Sequence, residues 1–208
     1  MKLADMTTRV FTDSLASASP APGGGAAAAF IGAQGVALVA MAAGLTLGRK
    51  KYAAYEERAR DIRDKAMTVK EKLLFTMDRD YQAYQSLTDV YVMPKDTEDE
   101  KTDRRAAMQS ALKACTLTPY ETMVYALQGM ELARALIGKS NTNAASDLGV
   151  AALNLKASLD GAWLNVSSNL KGIEDGQFTA RYQGLGEELR SRCIPLFDEV
   201  IGWAESFF

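Results

Sequence analysis

The segment from Ala26 to Leu47, AAAAFIGAQGVALVAMAAGLTL, carries no charged residue and is built mostly from alanine and glycine. As a helix it would run about 33 Å, enough to cross a bilayer. Its content argues for another use. Small side chains give weak transfer free energy into lipid, Gln34 sits inside the run, and no second segment of this kind exists. The expectation is a buried helix whose small residues let neighbouring helix backbones approach closely, in a chain that does not enter a membrane.

The remaining segments must then pack around that helix, and they read as helices too. Apolar residues recur at spacings of three and four, and alternating strand-like runs are absent. The pattern predicts helices over about 3–17, 25–48, 52–93, 99–137, 144–171 and 175–206. Pro119 is expected to kink or restart the fourth, because it lacks an N–H and pushes Thr118 out of the α region. The 208 residues suffice for one substantial core, so the reading is a single all-α domain over 1–208, a bundle of long helices.

Composition narrows the function classes. The net charge of −2 gives no basic excess for nucleic acid. Cys115 and Cys193 are too few and too far apart for a disulfide framework or a CxxC metal site, which suits a reducing compartment. Asp5, Arg9 and Asp13 interrupt any secretory h-region, so a cytoplasmic address is expected. The chain has no histidine, which removes the commonest general base and transition-metal ligand. Proton chemistry must use Asp, Glu, Lys, Tyr or Cys.

Four stretches could carry chemistry. SASPAPGGG puts Gly23, Gly24 and Gly25 at a helix start, where free N–H groups and the dipole favour an anion; a rigid turn with glycines at positive φ fits as well. GRKKY places Arg49, Lys50 and Lys51 at the other end of the small-residue helix, as dipole partners or as cations for a polyanion. DRDYQAYQSLTDVY aligns Asp80, Tyr84, Leu87 and Tyr91 on one face, with Asp78 and Tyr81 alongside. A partly buried Asp80 would titrate near neutrality; the alternative is a solvated face. Finally Asp147, Asn154, Ser158, Asn165 and Asn169 form a nearly uncharged polar stripe with small residues between. It meets either a ligand with many hydrogen-bonding edges or another helix.

Taken in order, SASPAPGGGAAAA, LTLGRKKY, DRDYQAY, SNTNAASDLGVAA and LNVSSNL resemble the formiminotetrahydrofolate cyclodeaminase / methenyltetrahydrofolate cyclohydrolase family over nearly the whole chain. One departure is Ser140-Asn141, where the family usually reads Gly-Asn. The resemblance implies an all-helical fold, a homodimer or larger assembly, and a tetrahydrofolate substrate with no metal or redox cofactor. It implies Asp80 as the catalytic proton shuttle. Substrate contacts are implied at Gly23, Gly24, Gly25, Lys50, Lys51, Tyr84, Asn141, Asp147, Asn165 and Asn169, with Asp147 a pterin anchor. The implied reaction is cyclisation of 5-formiminotetrahydrofolate to 5,10-methenyltetrahydrofolate with loss of ammonia. The alternatives are hydrolysis of the methenyl compound to 10-formyltetrahydrofolate in the same pocket, or a non-catalytic scaffold.

Overall fold

Thr7 accepts a hydrogen bond from the Val10 N–H and starts α1, Thr8–Leu15. A computed structural model describes residues 2–208 of the chain. After α1 come α2 (Gly24–Gly44), α3 (Glu56–Tyr91), α4 (Glu98–Ala135), α5 (Ala145–Leu170) and α6 (Gly176–Glu205), with no strand among the described residues. A Thr97/Glu100 capping box opens α4, and the Asp175 carboxylate accepts from the Gln177 and Phe178 N–H groups to open α6. The all-α expectation holds.

The small-residue run is the packing centre. Helix α2 lies against α3, α4 and α5 and buries twelve of its 21 residues, including Ala26, Ala29, Val36 and Val39. It is the one helix among the described residues long and apolar enough to span a membrane, yet 61% of that stretch is inside the protein. Glycines set the spacing. A Cβ on Gly35 would stand 2.8 Å from Leu155 Cγ and 3.0 Å from the Ala151 carbonyl oxygen, and one on Gly129 would stand 2.7 Å from Leu155 Cδ2 and from Val36 Cγ2. Helix axes come close because no side chain separates them.

Local chemistry moves several predicted boundaries. The first helix breaks in two, a 3₁₀ turn at Leu3–Asp5 and then α1, because the Asp78 carboxylate on α3 accepts from Leu3 N–H at 2.6 Å and from Ala4 N–H at 3.3 Å. Gly48 (φ 69°) and Gly138 (φ 67°) turn the chain soon after α2 and α4, so those helices stop at Gly44 and Ala135. Lys50–Tyr55 is 3₁₀ rather than the start of α3, with Tyr52 held off helical geometry while its hydroxyl accepts from Thr142 N–H at 3.1 Å.

Pro119 corrects the sequence reading most clearly. It sits inside α4, which runs unbroken from Glu98 to Ala135. The ring removes the N–H that would bond the Cys115 carbonyl one turn earlier. That carbonyl instead accepts from Asn169 Nδ2 on α5 at 2.8 Å. The lost bond is replaced from a neighbouring helix, so the helix does not need to break.

The packing yields a contrast between two glycines. Gly35→Val should lower the unfolding free energy by about 1–3 kcal/mol through overpacking against Leu155 and the α5 backbone. Gly184→Ala, on α6 with no atom within 4 Å of its added Cβ, should raise it by about 0.5–1 kcal/mol through helix propensity. Denaturant titration of both variants measures the difference.

Candidate active site

Gly24, Gly25 and Ala26 form the first turn of α2, where N–H groups lack intrahelical partners. None of Gly23, Gly24 and Gly25 has positive φ; Gly23 is extended at φ −128°, ψ −154°. None of the three therefore answers to positive-φ turn geometry, and Gly25 answers to space. A Cβ on Gly25 would overlap the Asp80 carboxylate outright, whereas one on Gly24 would reach Asn165 Nδ2 at 3.4 Å and one on Gly23 the Pro20 carbonyl oxygen at 3.5 Å. The anion cradled at this helix terminus is the protein's own Asp80.

Burial and the helix end act on Asp80 in opposite senses. Desolvation disfavours its charged form, while the Ala26 N–H hydrogen-bonds the carboxylate and favours it. Burial wins, raising the carboxyl from an ordinary 3.8 to about 6. Asp80 thus exchanges a proton near neutral pH. Asp78, two residues earlier, points to the opposite side and is spent on the N-terminal turn.

Around Asp80 lies a cavity of about 210 Å³. The loop contributes Pro20, Ala21 and Gly23; the first turn of α2 contributes Gly24 and Gly25; α3 contributes Tyr84 and Leu87; α4 contributes Cys115; α5 contributes Asn165 and Asn169. Asn165 donates through Nδ2 to the Gly161 carbonyl at 2.9 Å, and Asn169 donates to that of Cys115. Because a carbonyl can only accept, both amides keep Oδ1 free. Burial and the nearby Asp80 charge push the Cys115 thiol up to about 11, and it hydrogen-bonds the Ala83 carbonyl at 3.3 Å. At neutral pH it is no nucleophile.

The structure brings together Asp80, Gly23, Gly24, Gly25, Tyr84, Asn165 and Asn169. It separates the others. Lys50, Lys51 and Asn141 line a second pocket of about 300 Å³ with Arg49, Tyr52, Thr142 and Asn143. This pocket lies past the far end of α2, about 30 Å along the axis from Gly24. There the Asn141 N–H donates to Thr46 Oγ1 at 2.9 Å and its Nδ2 to the Leu45 carbonyl at 3.1 Å. Asp147 is in the first turn of α5, about 27 Å along that helix from Asn165.

The polar stripe is thus not one surface. Ser158, at mid-helix, is fully buried against Gly32 with an unpartnered hydroxyl, a helix contact and not a ligand contact. On the α3 face Tyr91 is exposed, beyond the cavity. Sequence reasoning missed Pro20, Ala21 and Cys115 as cavity walls. The spacing of Cys115 to Pro119, one helical turn, was the available signal.

Residues 7–185 match the sequence profile of the family described as formiminotransferase-cyclodeaminase. The methenyltetrahydrofolate cyclohydrolase of Methylorubrum extorquens is 40% identical over 172 residues, 83% of each chain. The formimidoyltransferase-cyclodeaminase of Sus scrofa is 32% identical over 92% of this chain, which spans only 36% of that larger protein. The crystal structure of formiminotetrahydrofolate cyclodeaminase from Thermotoga maritima superposes with a TM-score of 0.88 at 27% identity, over 98% of both chains.

The raised carboxyl has a stability consequence with a definite sign. Between about pH 4 and 6 the folded state binds the Asp80 proton more tightly than the unfolded state, so burial of the carboxylate costs stability fully above pH 6 and not at all below pH 4. Asp80→Asn should therefore stabilise the fold by about 1–3 kcal/mol at pH 8, a gain that vanishes by pH 4. Unfolding curves of both proteins across that range measure it.

Proposed function

Because the chain belongs to the formiminotransferase-cyclodeaminase family, we propose that it performs one-carbon chemistry between N5 and N10 of tetrahydrofolate, with Asp80 as the proton shuttle. The observation that carries the proposal is a single carboxyl, poised near pH 6, in a cavity otherwise lined by neutral groups. In the cyclodeaminase reaction N10 attacks the carbon of the protonated formimino group (–CH=NH2+), and Asp80 takes the N10 proton and passes it to the former imino nitrogen, which then carries three protons. Ammonia leaves and the methenyl bridge remains. In the cyclohydrolase reaction water adds to the methenyl carbon, Asp80 takes a water proton, and N5 is protonated as its bond to carbon breaks. The formyl group stays on N10, with one proton released overall.

Both reactions need one group that accepts and then returns a proton, and neither step draws on a metal or a redox cofactor. The likeness to the Thermotoga cyclodeaminase over 98% of both chains favours the first. Identity of 40% over 83% of both lengths to a cyclohydrolase favours the second as a further reading. The cavity of about 210 Å³ suits the reacting bicycle and is smaller than the roughly 300–1,000 Å³ of whole-ligand sites. The aromatic linker and glutamate tail extend beyond it.

The proposal includes a homodimer. Met41 and Leu45 on α2 and Val150, Leu153 and Leu164 on α5 are exposed, Leu164 at 70%. The two helices pack against each other, and the proposal takes these exposed side chains as one apolar face of the bundle. A second copy packed antiparallel about a two-fold axis would cover them and bring Lys50 and Lys51 of each copy toward the cavity of the other. The anionic tail would then have the cations that the cavity lacks.

Purified protein should convert 5-formiminotetrahydrofolate or 5,10-methenyltetrahydrofolate, read by gain or loss of the methenyl chromophore, at a rate a chelator leaves unchanged. Asp80→Asn should lower turnover about 10²–10⁴-fold. The rate of the wild type should climb through about pH 6 to a plateau. Inactivity of the folded wild type on both substrates would leave the scaffold reading.

Light scattering should give twice the chain mass for the wild type and one chain mass for Leu153→Glu. A monomeric wild type would refute the shared site.

A further inference from the structure

Asn169 and Pro119 are 50 positions apart and meet through one atom. Pro119 is buried inside α4, and its ring nitrogen cannot donate to the carbonyl of Cys115, one turn back. A buried carbonyl left without a donor costs free energy, and Asn169 Nδ2 supplies the bond at 2.8 Å. The direction of this contact is fixed by chemistry, since the carbonyl oxygen only accepts and the amide nitrogen only donates. Asn169 stands in the last turn of α5 and lines the cavity that holds Asp80.

We propose that Pro119 is a positioning residue for the substrate: by withholding its N–H it commits one N–H of the Asn169 amide to the Cys115 carbonyl, which fixes the orientation of that amide and presents Oδ1 to the ligand as an acceptor for an N–H on the pterin edge. The inference rests on the folate reading of the pocket. An unconstrained asparagine would offer donor and acceptor in either orientation and would lose side-chain freedom on binding. Here the rotamer is set before the ligand arrives. The same device ties α4 to α5 at the cavity wall, while the Cys115 thiol ties α4 to the Ala83 carbonyl of α3. Three helices are thereby fixed around one ligand edge.

A double-mutant cycle with Pro119→Ala and Asn169→Leu tests the link with two readouts. The first uses no ligand. Asn169→Leu should lower the unfolding midpoint more in the wild-type background than beside Pro119→Ala, because a restored N–H satisfies the Cys115 carbonyl within α4. The second is kinetic. Pro119→Ala should raise KM about 3- to 10-fold with kcat and its pH midpoint little changed, since Asp80 is untouched. In the presence of Asn169→Leu it should add nothing to KM.

Additive midpoint changes would overturn the hydrogen-bond link, and an unchanged KM in an active Pro119→Ala enzyme would overturn the positioning role. Failure of the wild type on both folates would instead sink the folate reading. The ligand-free cycle would still report on the link between Pro119 and Asn169.

Discussion

A carboxylate held against a helix N-terminus, with no side chain between them, organises this molecule. The Asp80 carboxylate touches Gly25 so closely that any Cβ there would occupy its place. The contact has two electrostatic faces. The helix end and the Ala26 N–H draw the ionised form in, while the surrounding protein excludes the water that would stabilise it. The balance leaves the group neither permanently charged nor permanently protonated. Moving Asp80 toward solvent would return it to an ordinary carboxylate, and a stronger set of donors would trap it as an anion.

That contact requires α3 and α2 to lie close together, and the small residues of α2 allow it. Gly32, Gly35 and the buried alanines place the helix backbone where side chains would otherwise stand. One cost is visible at Ser158, whose hydroxyl is fully buried against Gly32 without a partner. The close packing that brings the helices together also strands a polar atom in the core between α2 and α5.

Much of this was legible in the sequence because it is encoded locally. Helical periodicity gave the six long segments, and the i, i+4, i+7 spacing put Asp80, Tyr84 and Leu87 on one wall. The illegible parts depend on partners distant along the chain. Nothing near Pro119 announces that an asparagine on another helix will replace its missing bond, and nothing near Leu3 announces Asp78. The glycines looked like ligand contacts or turn residues, and no local pattern reveals that a carboxylate from α3 will fill the space beside Gly25. The polar stripe had the right period for one face, yet a helix of 26 residues is too long for one small cavity to use both ends.

The bond between α4 and α5 also constrains the order in which this chain can change over evolutionary time. Replacing Pro119 first leaves the Cys115 carbonyl with an intrahelical donor and Asn169 with its amide released. Replacing Asn169 first leaves a buried carbonyl with no partner. Lineages can therefore leave this arrangement through the proline far more readily than through the asparagine. Once the asparagine has drifted under a restored helix bond, a returning proline would orphan the carbonyl, so the pair behaves as a ratchet that is easier to dismantle than to rebuild.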